Sequence, residues 1–205
     1  MKKAISVIFI SLVFAVLMFS ANAYAAELPK VPEIAEKYSG EELFIDMTID
    51  QNGEKINCIV CKKSDKFAFD SDFPIAAGLT AKVRVIMDGE NAYMFFPKFP
   101  FVYFEFDKED IEGGLDEDIL AVPEDCTYIG SGTKIIDGKT YYVDIYEYED
   151  VTISYGIEND ELVFIESCTE DYRSLVYINE ISNSVNDLIF IRPFFAINLS
   201  RFISY

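Results

Sequence analysis

Cys58-Ile59-Val60-Cys61 has the spacing of a dithiol pair. A redox-active pair of that kind sits at the start of a helix, where the nucleophilic thiol is acidified. Here both cysteines fall in an alternating run that reads as a strand. They then point to opposite faces, with Cα atoms about 10 Å apart at roughly 3.3 Å per residue, whereas a disulfide wants less than about 7 Å. Cys126 and Cys168 are the natural pair for an export-compartment bridge. In a simple meander they lie on the first and fourth of consecutive strands, about 14 Å apart at roughly 4.8 Å per strand. Either that bridge is absent or the strand order differs, and a four-cysteine zinc site meets the same obstacle.

Carboxylates are the other chemistry on offer, and 36 acids make no single pair informative. A glycosidase needs two carboxyls about 5 to 10 Å apart beside a sugar cleft, and no spacing singles out such a pair. The cluster Asp107, Glu109, Asp110, Glu112, Asp116, Glu117, Asp118 lacks the acid ladder and glycine of an EF-hand loop and reads as an acidic loop in water. Histidine is absent, which removes Ser-His and Cys-His nucleophile pairs and the commonest transition-metal ligand. No catalytic residue, metal or cofactor is therefore expected.

The elements that position these groups begin after an export signal. Met1-Lys2-Lys3, an apolar run from Ala4 to Phe19 and the small residues of Ala21–Ala26 form a cleavable secretory signal over 1–25. The run is shorter than the roughly 20 residues of a bilayer-spanning helix, so no stable transmembrane anchor is expected. The remainder, 26–205, reads as a single domain, exported as a soluble secreted or periplasmic protein, with an apolar tail from about 193. Removing Lys2 and Lys3 moves the formal charge from -19 to -21. That balance excludes nucleic acid as a partner and argues against simple electrostatic docking on anionic lipid headgroups. Tryptophan is absent, but 18 phenylalanines and 13 tyrosines are present.

"ELPKVPEIAEKYSG" predicts a short helix, with Pro32 in its first turn and Gly40 past its end. The period then switches to two, Leu43, Ile45, Met47 and Ile49 forming one dry side. Asn52-Gly53, Asp88-Gly89, Asp137-Gly138 and Asn159-Asp160 turn the chain between further runs. About ten or eleven strands result, in an antiparallel meander interrupted by the acidic segment 107–123, which has room for a short helix near 110–121. The fold class is mainly β (α+β).

Side-chain parity across these hairpins gives two faces. One carries Arg84, Tyr93, Phe95 and Asp144. The other is nearly all apolar, with Val83, Val85, Met87, Met94, Phe96, Phe101, Tyr103, Val143 and Ile145 as candidate ligand-binding residues. Burying such a side chain is worth about 1.5 to 3 kcal/mol, so this face must be covered. Few helices are available to do it, unless the tail residues Phe194, Phe195, Leu199 and Phe202 form one that closes the sheet, contacts a membrane or binds a partner.

The signal, the short helix, the hairpins "DG...YMF" and "DGKTYYVDIY", the acidic intermission and the closing "VNDLIFIRP" resemble the LolA-like lipoprotein carriers and the N-terminal domain of the regulator RseB over residues 30–192. The resemblance implies a single curved antiparallel sheet, a half-barrel whose concave face is covered by short helices and holds acyl chains. It transfers no site residue by motif. The expected function is a non-enzymatic binding module for a lipid acyl chain or other apolar small molecule. The alternative is an interaction or sensor domain with a packed interior, meeting an envelope protein through Tyr93, Phe95, Tyr142 and Tyr146.

Overall fold

The computed structural model describes residues 28–51, 53–76, 79–89, 91–107, 122 and 125–200. The export signal, the helix near 110–121 and most of the acidic cluster lie outside the described residues. In chain order the elements are α1 (Val31–Lys37), β1 (Glu42–Gln51), β2 (Glu54–Lys63), β3 (Lys66–Ala76), β4 (Leu79–Asp88), β5 (Asn91–Phe95) and β6 (Val102–Asp107). Then follow β7 (Thr127–Ile136), β8 (Lys139–Tyr148), β9 (Val151–Glu158), β10 (Glu161–Cys168), β11 (Arg173–Ser182), a 3-10 turn (Asp187–Phe190) and β12 (Ile197–Asn198). The twelve strands hydrogen bond in the order β12-β6-β5-β4-β3-β2-β1-β11-β10-β9-β8-β7. The chain is thus mainly β, in one antiparallel-dominated sheet, with β12 pairing in parallel with β6.

Local chemistry explains the hairpins. Asp137 and Gly138 have φ of 48° and 78°, and Asn159 and Asp160 have 52° and 60°. Two successive left-handed residues match the twist of the strands they join, and Asn, Asp and Gly accept that conformation most readily. The ten-residue run of β1 buries Leu43, Ile45, Met47 and Ile49 to 4 % exposure or less, as its period of two predicts.

The contacts gather into two compact units. One is built on α1, β7 to β10 and most of β11; the other on most of β2, β3 to β6, the 3-10 turn and β12. In the first unit Val31 and Ile34 of α1 are buried, and the helix owes its placement to Asp144. The buried carboxylate accepts the Lys30 N–H at 2.6 Å and the Val31 N–H at 3.0 Å, and Ser131 Oγ donates to its other oxygen at 2.7 Å. Lys30 itself offers no side-chain cap, so a residue of β8 satisfies the orphan N–H groups of the helix start. A second cluster in this unit packs Ile136, Val143, Phe164 and Leu175. In the other unit Cys61, Ala68, Ile86, Phe95 and Val185 form the core, with Phe44, Ile59, Tyr103, Ile189 and Phe190 against it.

Candidate functional site

In an antiparallel pair, residues directly opposite each other share a face. Val85 lies opposite Met94 and Met87 opposite Ala92. Met94 in turn faces Phe104, and Ala92 faces Phe106. Val83 joins them by the period of two. The same face continues into β3 and β2, where Phe69 lies opposite Val85, Phe67 opposite Met87 and Val60 opposite Phe69. Its burial varies from strand to strand. Val60 is 2 % exposed, Phe67 and Phe69 are 9 %, and Met87 and Ala92 are also buried, whereas Val83, Val85, Met94, Phe104 and Phe106 are all half-buried. Phe104 and Phe106 stack with ring centroids 6.5 Å apart. A wholly apolar surface spanning β4 to β6 is thus left partly open.

The opposite face of these strands is closed by the chain itself. Cys61, Ala68, Ile86 and Tyr93 line up across four strands, and Val185, Ile189 and Phe190 pack beside that line. Arg84 belongs here and not to the open face. Its guanidinium binds Asp70 and the Ile189 carbonyl, fastening the C-terminal segment down. Arg192 sits over the Tyr93 ring, 4.4 Å from its centroid.

Of the candidate residues, Val83, Val85, Met87 and Met94 come together on this face, Met87 buried within it and the other three half-buried, with Phe96 half-buried just beyond β5. Phe101 and Tyr103 do not join them. The register sets Tyr103 opposite Phe95, one residue later than an even turn through Pro97 and Pro100 places it, and a shift of one swaps the faces. Tyr103 therefore packs in the closed core, and Phe101 is 70 % exposed in the turn. Phe104 and Phe106 take their places. The alternation Phe104-Glu105-Phe106-Asp107 carries the signal that Phe104 and Phe106 share one face and the two acids the other. Val143 and Ile145 belong to the other unit, in and against the cluster around Phe164.

Three further expectations are corrected. The face of Asp144 is not the wetter one, because that carboxylate is fully buried as the cap of α1. Tyr93, Phe95 and Tyr146 are 8 %, 4 % and 1 % exposed and offer no surface to a partner. In the tail, Ile197 and Asn198 form a strand against β6 and not part of the helix that the apolar residues of the tail suggest, and Phe202 lies outside the described residues.

The cysteines lie as strand geometry requires, Cys61 in the core with Ala68 and Cys58 with its Sγ 3.4 Å from Ser71 Oγ. All four thiols are free, and β7 to β10 run in the order that separates Cys126 from Cys168. Burial pushes Cys58 and Cys126 up to about 11 and Cys61 up to about 12. That is the reverse of what a nucleophilic thiolate needs. Among the described residues no three acidic or cysteine side chains converge on a metal position. A cavity of about 320 Å³ lies among Asp50, Gly53, Asp137, Arg173, Leu175 and Tyr177. Tyr177 donates to Asp137 there at 2.8 Å, and the mostly polar walls do not suit a hydrocarbon. No described helix is long and apolar enough to cross a membrane.

No protein-family model matches this chain, and no curated protein matches it. Solved structures do. LprF from Mycobacterium bovis is similar over 77% of this chain and 93% of its own, at 9% identity and a TM-score of 0.45. The Mycobacterium tuberculosis lipoprotein LppX is similar over 77% of this chain and 95% of its own, at 10% identity and a TM-score of 0.46. The Pseudomonas aeruginosa MucA/MucB complex is similar over 78% of this chain but only 59% of that chain, at 9% identity and a TM-score of 0.40. These neighbours are of the LolA-like and RseB-like kind that the hairpin pattern resembles.

Proposed function

We propose that the chain is an exported, non-enzymatic binding module that takes a lipid acyl chain or similar apolar group against the open face of β4 to β6. The observation that carries this reading is the apolar face of β4 to β6, on which Val83, Val85, Met94, Phe104 and Phe106 stay half-buried around the buried Met87 and Ala92. Leaving such groups partly wet costs free energy that a hydrocarbon guest recovers by desolvation, at about 0.8 kcal/mol per buried methylene. Ligand sites are mostly apolar and largely formed before the ligand arrives, and the flexible thioether of the half-buried Met94 fits guests of varied shape. Arg84 lies on the other face and takes no part.

Organic extraction and mass spectrometry of the purified protein should release lipid, and the emptied protein should take up a fluorescent fatty acid. Val85→Asp places a charge at the centre of the face and should abolish uptake while the fold persists, because Val85 is only half-buried. Repeated recovery of no lipid, together with no fatty-acid uptake by the parent protein, would end this reading.

A further inference from the structure

We propose that the end of the sheet formed by the β5–β6 turn and the approach to β12 docks on the surface of a phospholipid bilayer. This inference does not rest on the acyl-chain site. Phe99, Phe101, Phe194, Phe195 and Ile197 are 65 %, 70 %, 88 %, 97 % and 60 % exposed. They come from two segments that the topology brings to one place. β12 pairs with β6 in parallel, Ile197 opposite Val102, so the Phe194–Phe195 turn that leads into β12 emerges at the same end as the turn that leads into β6. The Ile197 N–H donates to the Phe101 carbonyl at 2.8 Å, binding the two directly.

The protrusion is a built feature and not a loose tail. The Leu199 N–H donates to the Tyr103 carbonyl at 2.8 Å, Asn198 Nδ2 to Glu105 Oε2 at 2.7 Å, and Ser200 Oγ both accepts from the Glu105 N–H at 2.6 Å and donates to its carbonyl at 2.8 Å. An edge held this firmly presents its rings in place. Monomeric soluble proteins rarely keep contiguous apolar patches of this kind in water without a use for them.

Charge selects the occupant. In a chain with 36 acids and 17 bases, residues 91–104 contain one charged side chain, Lys98, and residues 188–200 contain one, Arg192. Both are cationic, and Lys98 is exposed beside Phe99. Phenyl groups with lysine and arginine at their margin match the layering of a bilayer surface, rings among the upper acyl chains and cations at phosphate depth. A second copy of the chain brings the same net charge of -19 toward itself and is disfavoured by that repulsion. Because the whole protein is acidic, insertion of the rings and not attraction to anionic lipid is the driving force.

Absence of tryptophan gives a clean test. Phe195→Trp, in the chain purified as the cell exports it, carries the only indole. Its emission should shift to the blue on phosphatidylcholine vesicles and be quenched by brominated acyl chains, while Tyr172→Trp, on a turn of the other unit, should show neither. Adding Phe99→Ser and Phe194→Ser to Phe195→Trp removes exposed side chains only and should lower the partition coefficient by about tenfold or more. On vesicles containing phosphatidylglycerol, added salt should raise partitioning by screening the repulsion. No shift on either vesicle, or a shift that grows with protein concentration in their absence and so reports a second copy, overturns the proposal. Val85→Asp should keep vesicle docking while losing fatty-acid uptake, so failure of either reading is seen separately.

Discussion

Arg84 grips the carboxylate of Asp70 at two points, Nε to Oδ1 at 2.6 Å and Nη2 to Oδ2 at 2.8 Å, and gives a third N–H to the carbonyl of Ile189 at 3.3 Å. The two residues are direct cross-strand partners on β3 and β4, and Asp70 is 3 % exposed. Removing the cation leaves a buried carboxylate alone. Arg84→Met should therefore cost about 3 to 5 kcal/mol, whereas Arg84→Met with Asp70→Leu should recover much of it. Urea denaturation of both variants measures this, and equal losses in the single and the double would show that the pair is not the source.

That pair also marks where reading the chain as a string of periods stops working. The alternation of Leu43, Ile45, Met47 and Ile49 and the left-handed turns at Asp137-Gly138 and Asn159-Asp160 are local, and both were legible. β3 carries no such local signal. Its entry turn uses Ser64 at a φ of 53° with no glycine, and Asp70 and Ser71 interrupt its apolar run. Its place depends on Arg84, a partner outside any local window. The same limit hid the role of Asp144, which caps a helix more than a hundred residues earlier, and the parallel pairing of the tail with β6. At the candidate site four residues of β4 and β5 were legible because the Asp88-Gly89 turn preserves parity, and β6 was displaced by one residue because the Pro97–Phe101 turn does not.

Asp144 supplies the second prediction. Asp144→Ala strips two N–H groups at the start of α1 and the Ser131 hydroxyl of their acceptor, and should cost about 1 to 3 kcal/mol. Asp144→Asn keeps one carbonyl oxygen and should lose less. The specific readout is hydrogen exchange at the Ile34 N–H, which bonds Lys30 O at 3.1 Å. If that exchange is unchanged in Asp144→Ala, the cap does not hold the helix.

Gly156 lies opposite Phe164 in the β9–β10 pair, and a methyl group on Gly156 would overlap the Phe164 ring. The aromatic ring lying across a glycine fills space that no other residue leaves open. Gly156→Ala should destabilise by about 1 to 3 kcal/mol through overpacking. Adding Phe164→Leu should cost less in that background than in the parent, and strict additivity in thermal unfolding would refute the contact.

The last prediction follows from the buried thiols. Burial raises Cys58 and Cys126 from 9.0 to about 11 and Cys61 from 9.0 to about 12. Between 9 and these values the folded chain keeps protons that the unfolded chain releases, so alkali favours unfolding. The stabilisation is complete below about 9 and is lost as pH rises toward 11 to 12. Tyr38 and Tyr177 shift in the same direction, chiefly by burial, and they steepen the fall. Cys58→Ala with Cys61→Ala separates the thiols from the phenols: its urea midpoint should decline less steeply with pH than that of the parent. A thiol reagent near neutral pH should label the partly exposed Cys168 first and reach the other three only on unfolding. Rapid labelling of Cys58 or Cys61 in the native state would mean that the strand holding them opens far more readily than its burial implies.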